Sequence, residues 1–270
     1  MRSYKYFVVE KRPGVALATI LNPPYNFLRT GMIFELSDIL DQFENDSDVG
    51  AIVITGGVKG YFIAHADFEK VVTQTQPDNP RSRELHSMWH KTFEKMQSSS
   101  KVIIAAVNGP ALGGGCELAL ACDIRLMARD AVIGLFEVKA GAIPGAGGTQ
   151  RLARFLGISR ALPLLLEGKI MSAQEAESIG LVHKTLEPDQ LVEYSISYAR
   201  SFAGRPPQAI QGIKRCVYQG IEVGLKQGLE IEREVFYQTV PTEYSRNKLN
   251  EALQAYKQGR RPEAYWIEAP

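Results

Sequence analysis

Cysteine is scarce: three in 270 residues exclude a disulfide framework. Cys116, Cys122 and Cys216 fit no Cys-x-x-Cys metal pattern and read as buried or half-buried thiols of a reducing compartment. Charge of one sign is not in excess either. Lys and Arg total 31 and Asp and Glu total 30, a balance of +1. A broad nucleic-acid face tilts that balance strongly basic, so nucleic acid is not an expected partner. Long hydrophobic runs are missing. Val102–Val107 is among the longest and falls far below the ~20 residues a membrane span needs, so no membrane partner is expected. The first 21 residues hold no unbroken apolar stretch, so neither a signal nor a transit peptide is expected. The chain reads as soluble and cytoplasmic. Several motifs are lacking too: a glycine loop followed by Lys-Ser/Thr, GxGxxG and GxSxG. His86 and His90 stand four apart without the Glu of HExxH or an obvious third ligand, so no metal is expected.

What is present is an ordinary globular composition, 45% hydrophobic and 23% charged. The length suits one large domain, or one domain with a helical appendage. Tyr4–Glu10 and Val15–Leu21 predict a hairpin turning at Pro13-Gly14. Met32, Ile33, Leu36, Ile39, Leu40 and Phe43 recur at helical spacing and predict a helix over Thr30–Asn45. Val49–Thr55, Lys101–Val107, Ile124–Ala128 and Val132–Leu135 read as strands, and Glu84–Met96 and Gly113–Cys122 as helices. Between the first of these strands and Glu84 a loop is expected around Phe62–Phe68. The polar stretch Gln74–Ser82, with Pro77 and Pro80, reads as mobile surface. From Thr149 onward the pattern is helical, with Leu181–Thr185 as the sole strand candidate. The class is therefore α/β, with a sheet core in the N-terminal half and a helical C-terminal third; the expected domain division is 1–200 and 201–270.

Three segments carry possible chemistry. Asn108–Leu118 runs from a strand through Gly113-Gly114-Gly115 into a helix. Such a run lets backbone approach a ligand and frees N–H groups at a helix start, where a developing oxyanion is stabilised. The plain structural alternative is a tight strand-to-helix turn. Phe62–Phe68 is a loop of small residues that can bring a second N–H to the first. Glu117, in the first turn of an apolar helix, and Glu137, in an apolar stretch beyond a strand, stand in surroundings that raise a carboxyl pKa and suit acid–base work. Alternatively, Glu117 complements its helix dipole and Glu137 pairs with an arginine.

Together, NGPALGGGCELALACD (Asn108–Asp123), FIAHADF (Phe62–Phe68) and FEVKAGAIPGAGGTQRL (Phe136–Leu152) resemble the enoyl-CoA hydratase/isomerase (crotonase) superfamily in order and spacing. LNPPYNFL (Leu21–Leu28) and GKIMSAQEAESIGLVHKT (Gly168–Thr185) extend the resemblance over essentially the whole chain. It implies a β-β-α spiral core, a C-terminal helical trimerisation region, and a trimer or a hexamer of paired trimers. It implies that the Ala66 and Gly114 N–H groups polarise a thioester carbonyl, and that Glu117 and Glu137 are the catalytic pair of the hydratase branch. The implied activity is addition of water across the 2,3 double bond of a 2-enoyl-CoA in fatty acid metabolism. No cofactor is implied beyond the coenzyme A of the substrate. The Ala64 carbonyl is expected to meet the adenine, Lys70 a phosphate and Arg261 the CoA moiety, the alternative for both cations being solvated surface charge. His65, Asp67, Phe68, Gly113, Phe136 and Gly145 complete the expected substrate contacts. Two residues depart from the family's usual pattern: His65 stands where relatives commonly have Gly, and Phe136 where hydratases often have Pro. His65 either crowds the oxyanion loop or points outward, the latter being the favoured reading. Other readings are an isomerase, a hydratase of cyclic or branched acyl groups, and a non-catalytic or RNA-associated member of the fold.

Overall fold

The computed structural model describes residues 2–74, 76 and 78–268. The chain forms two compact units, residues 1–204 and 205–270.

In the first unit, β1 (Phe7–Arg12) and β2 (Gly14–Ile20) form the expected hairpin, with Gly14 at φ 77° in its turn. Next come α1 (Thr30–Glu44), β3 (Val49–Gly56), α2 (Phe68–Gln74), α3 (Pro80–Ser98), β4 (Val102–Val107) and β5 (Ala111–Leu112). These lead into α4 (Gly114–Ala121), β6 (Ile124–Ala128), β7 (Val132–Gly134) and a single 3₁₀ turn, Glu137–Ala140. The unit ends with α5 (Gly148–Leu156), α6 (Ile158–Glu167), β8 (Ile170–Ser172), α7 (Ala173–Ser178), β9 (Lys184–Leu186) and α8 (Leu191–Arg200). The main sheet runs β1-β2-β3-β4-β6-β9 and is parallel apart from the hairpin. A small sheet, β5-β7-β8, stands beside it.

The central strands read as unbroken apolar runs because both of their faces are covered. Every residue of β4 is buried, and α8 packs against β2, β3 and β4. The periodic residues predicted for α1 are its buried stripe, Met32, Ile33, Leu36, Ile39, Leu40 and Phe43, and α1 packs on α3. Phe43 is 1% exposed. Truncation to Ala leaves a cavity, so Phe43→Ala is expected to cost about 3–5 kcal/mol in a denaturant titration at unchanged m-value.

Three differences from the sequence expectation have local causes. Helix α3 starts at Pro80 rather than Glu84, because the Asn79 side chain accepts a hydrogen bond from the Arg81 N–H and Pro80 fits the first turn. The stretch Gln74–Ser82, read as surface loop, is thereby narrowed; Thr75 and Pro77 within it lie outside the described residues. Helix α2 occupies the start of the expected loop beyond Phe62–Phe68: Asp67 precedes it and its Oδ1 accepts the Lys70 N–H at 3.4 Å. Leu181–Thr185 is not the sole later strand. The three residues of β8 pair antiparallel with β7, a length too short to show periodicity, and β9 begins at Lys184.

The second unit comprises α9 (Pro207–Gly220), α10 (Leu225–Thr239), α11 (Glu243–Lys257) and α12 (Pro262–Glu268). Helices α9 and α10 pack together, and a Cβ on Gly212 would come within 2.6 Å of Val235 Cγ1, so glycine is what permits their close approach. No helix among the described residues is long and apolar enough to cross a membrane.

Candidate active site

The loop between β3 and α2 is shaped by a residue from another segment. Asn26, fully buried at φ 52°, donates from Nδ2 to the carbonyls of Phe62 at 3.1 Å and Tyr61 at 3.3 Å. Leu28 then forms one parallel bridge to Ala66: its N–H donates to the His65 carbonyl at 2.9 Å, and its carbonyl accepts the Asp67 N–H at 2.9 Å. The Ala66 N–H itself stays out of this ladder. Gly114 opens α4, where a first-turn N–H has no intrahelical acceptor. A Cβ on Gly114 would lie 3.8 Å from the Ala66 Cβ, so the two backbones are neighbours. Gly113 sits at φ 52°, a conformation that favours glycine, and a Cβ there would press on Glu137 Oε1 at 3.1 Å.

These residues border a cavity of about 660 Å³. Ala66, Gly114, Glu117 and Glu137 all line it, as do His65, Asp67, Phe68, Lys70, Gly113, Phe136 and Gly145. Its remaining wall is mainly apolar and includes Leu28, Leu85, Trp89, Val71 and Ile143. Ala64 is buried but does not line it. Arg261 belongs to the second unit, where its Nε faces Glu263 Oε1 at 3.4 Å. The Lys70 ammonium lies 3.5 Å from Glu69.

The two glutamates have different surroundings. Glu117 Oε1 accepts the N–H groups of Ala146 at 2.7 Å and Gly148 at 2.8 Å. Gly148 is the first residue of α5, so the carboxylate caps that helix's positive end as well as standing in α4. Burial pushes the Glu117 pKa up, while these donors and the Arg151 charge oppose the rise. Glu137 is half-buried at the head of the 3₁₀ turn, and its Oε2 is buried without a hydrogen-bond partner among the described residues. Among the described residues no arginine or lysine pairs with it, so the arginine alternative fails. Burial first, and then the nearby Glu117 charge, push the Glu137 pKa up to about 7. Adjacent carboxyls whose environments differ in this way suit a base and an acid working as a pair.

The favoured outward orientation of His65 is corrected. Its ring stacks on Phe68 at 4.1 Å between centroids and lies 4.6 Å from Phe27, with Phe136 edge-on at 6.2 Å. Its Nδ1 is 2.7 Å from the Ala66 carbonyl. Aromatic neighbours from three separate segments draw it onto the cavity wall. His86 and His90 pack edge-to-face at 4.8 Å, and His86 also lines the cavity. Reading the sequence missed Arg29, whose Nε meets Asp67 Oδ2 at 2.8 Å on the cavity wall. It missed Arg151 as well. A first-turn cation beyond a glycine run was the visible sign of Arg151, whereas nothing near Arg29 in sequence marks its partner.

The profile of the enoyl-CoA hydratase/isomerase family matches residues 10–266. A protein of Dictyostelium discoideum named as a probable mitochondrial enoyl-CoA hydratase is 39% identical over 89% of this chain and 85% of its own length. The short-chain-enoyl-CoA hydratase of Clostridium acetobutylicum is 34% identical over 93% and 95% of the two chains. The crystal structure of an enoyl-CoA hydratase from Bacillus anthracis superposes with a TM-score of 0.83 at 35% identity, covering 96% of this chain and 98% of the other. Motif order, the β-rich core with its two glutamates on one cavity, and near full-length similarity agree: this chain belongs to the enoyl-CoA hydratase/isomerase family.

Proposed function

We propose that the protein is an enoyl-CoA hydratase, a hydro-lyase that adds water across the 2,3 double bond of a 2-enoyl-CoA thioester. What supports this reading is one apolar cavity lined by two differently tuned glutamates and by the neighbouring backbones of Ala66 and Gly114.

In this reading the thioester oxygen lies between the Ala66 and Gly114 N–H groups. A water molecule lies between Glu117 and Glu137. Glu117, held by two N–H groups, takes a proton from the water as its oxygen bonds to C3. The C2–C3 π electrons shift toward the thioester, and negative charge collects on the carbonyl oxygen, where the two N–H groups stabilise it. Glu137, protonated below about pH 7, delivers its proton to C2. A proton returned from Glu117 to Glu137 restores the starting state. Lys70 is proposed to meet a CoA phosphate, Arg261 the CoA moiety, and the Ala64 carbonyl the adenine. A homotrimer or a dimer of trimers is proposed, assembled through the 205–270 helices, and a cytoplasmic location is proposed with it.

The test is hydration of crotonyl-CoA, followed as loss of enoyl-thioester absorbance. A hydratase removes the band; a binding protein leaves it unchanged; an isomerase acts on 3-enoyl substrates instead. The pH dependence is set by the same pair. Glu117 must be ionised, so kcat/KM rises with pH through a limb above the ordinary glutamate value. Glu137 must be protonated, so kcat/KM falls as pH rises through about 7. A profile flat from pH 5 to 9 overturns these roles.

A further inference from the structure

Glu117 is held by a loop that is itself held from behind. Behind it stands Arg151, in the first turn of α5. A cation there opposes the helix macrodipole, so helix stability does not account for its position. Its Nη1 donates to the Ala146 carbonyl at 3.0 Å, and its guanidinium lies 5.5 Å from the centroid of the buried Phe93 ring. Gly147, at φ 99°, leaves the space that Nη1 occupies; a Cβ there would collide with it. The Ala146 N–H donates to Glu117 Oε1. The Arg151 donor behind the loop thus helps fix the direction of the N–H groups that hold Glu117.

We propose that Arg151 is a positioning residue for Glu117: it holds the Ala146 carbonyl and keeps the Ala146 and Gly148 N–H groups aimed at Oε1. Its charge, behind that loop, also favours the carboxylate form. The inference deepens the hydratase reading and rests on it for what Glu117 does, but not for the electrostatics. The other titratable groups on the same cavity wall are Glu137 from the 3₁₀ turn, which Glu117 itself influences, His86 from α3, Lys70 from α2, and the Arg29–Asp67 pair. Cys116, next to it on α4, is kept a neutral thiol by burial, and Arg125 contacts the far end of α4. Arg151 is the cation that acts on Glu117 directly.

The test compares Arg151→Met, Arg151→Gln and Arg151→Lys, each checked for folding by thermal unfolding. With crotonyl-CoA, Arg151→Met is expected to lower kcat about 10-fold or more while KM changes less than about 3-fold, and to move the acid limb of kcat/KM up by about one pH unit. Arg151→Lys restores the limb. Infrared titration without substrate, in a Glu137→Gln background with Glu117→Gln as the blank, reads the Glu117 carboxylate directly. Its midpoint is expected to rise in Arg151→Met and in Arg151→Gln, and to return in Arg151→Lys. Arg151→Gln, which retains an N–H donor without the charge, carries the test if Arg151→Met fails to fold. An unchanged infrared midpoint in a folded uncharged variant, or a Lys variant shifted as far as Met, overturns the proposal. A wild-type protein inactive on crotonyl-CoA whose infrared midpoint still shifts would instead overturn the hydratase reading alone.

Discussion

Glu137→Gln is expected to reduce kcat for crotonyl-CoA hydration by ~10²–10⁴-fold, with KM within a few-fold of wild type. The amide fills nearly the same volume but holds no proton acidic enough to pass to C2. Binding contacts to the apolar wall remain, so the loss falls on the chemical step. The substitution also bears on stability, with a definite sign. The folded-state pKa of Glu137 is about 7, above the usual glutamate value of 4.5. Its contribution is therefore fully present below about pH 4.5 and is lost as pH rises through about 7, when a charge must exist on a carboxylate whose Oε2 has no partner among the described residues. At pH 8 the neutral amide avoids that charge, so Glu137→Gln is expected to melt at a higher temperature than the parent, an advantage that shrinks toward pH 5. Full hydration activity in the variant removes Glu137 from the proton transfer. A melting difference independent of pH removes the electrostatic account.

Glu117→Gln is the second large effect, again ~10²-fold or more in kcat, but with a different signature. Glu117 is 3% exposed and accepts two N–H groups through one oxygen. A glutamine carbonyl can accept the same pair, so the loop stays anchored while the base is lost. Little change in melting temperature is expected at neutral pH. The alkaline limb of the residual activity should also move to lower pH, because the Glu117 charge no longer disfavours ionisation of Glu137. Combining the two substitutions should cost far less than the product of the single losses, since either one stops the same water addition. Multiplicative losses in the double variant would mean that the two carboxyls act in separate steps.

Much of the core was legible because its signals are local. The spacing of Met32, Leu36, Ile39 and Phe43 specifies a helix face, and the apolar run Val102–Val107 a strand covered on both sides. The starts of α2 and α3 were equally local, in Asp67 and in Asn79-Pro80, and were overlooked because loop character was read from polarity and proline content. Strand β8 was not legible, since three residues become a strand only when β7 is there to pair with. At the site, the glycine run and the two glutamates could be named in advance, but their meeting could not. The orientation of His65 was misjudged because Phe27, Phe68 and Phe136 are separated in sequence, and only folding assembles them around the ring.

By itself, the sequence determined the α/β class, the buried faces of the helices and strands, and the residues that mark the family, all of which depend on periodicity and short-range motifs. Only the tertiary structure decided that Glu117 caps a second helix, that Glu137 has no cationic partner among the described residues, and that Arg151 stands behind the loop that holds Glu117. The physical reason is that a carboxyl's proton affinity depends on which dipoles, charges and apolar surfaces surround it in space, and those arrive here from distant segments, such as Gly148, 31 residues along the chain from Glu117.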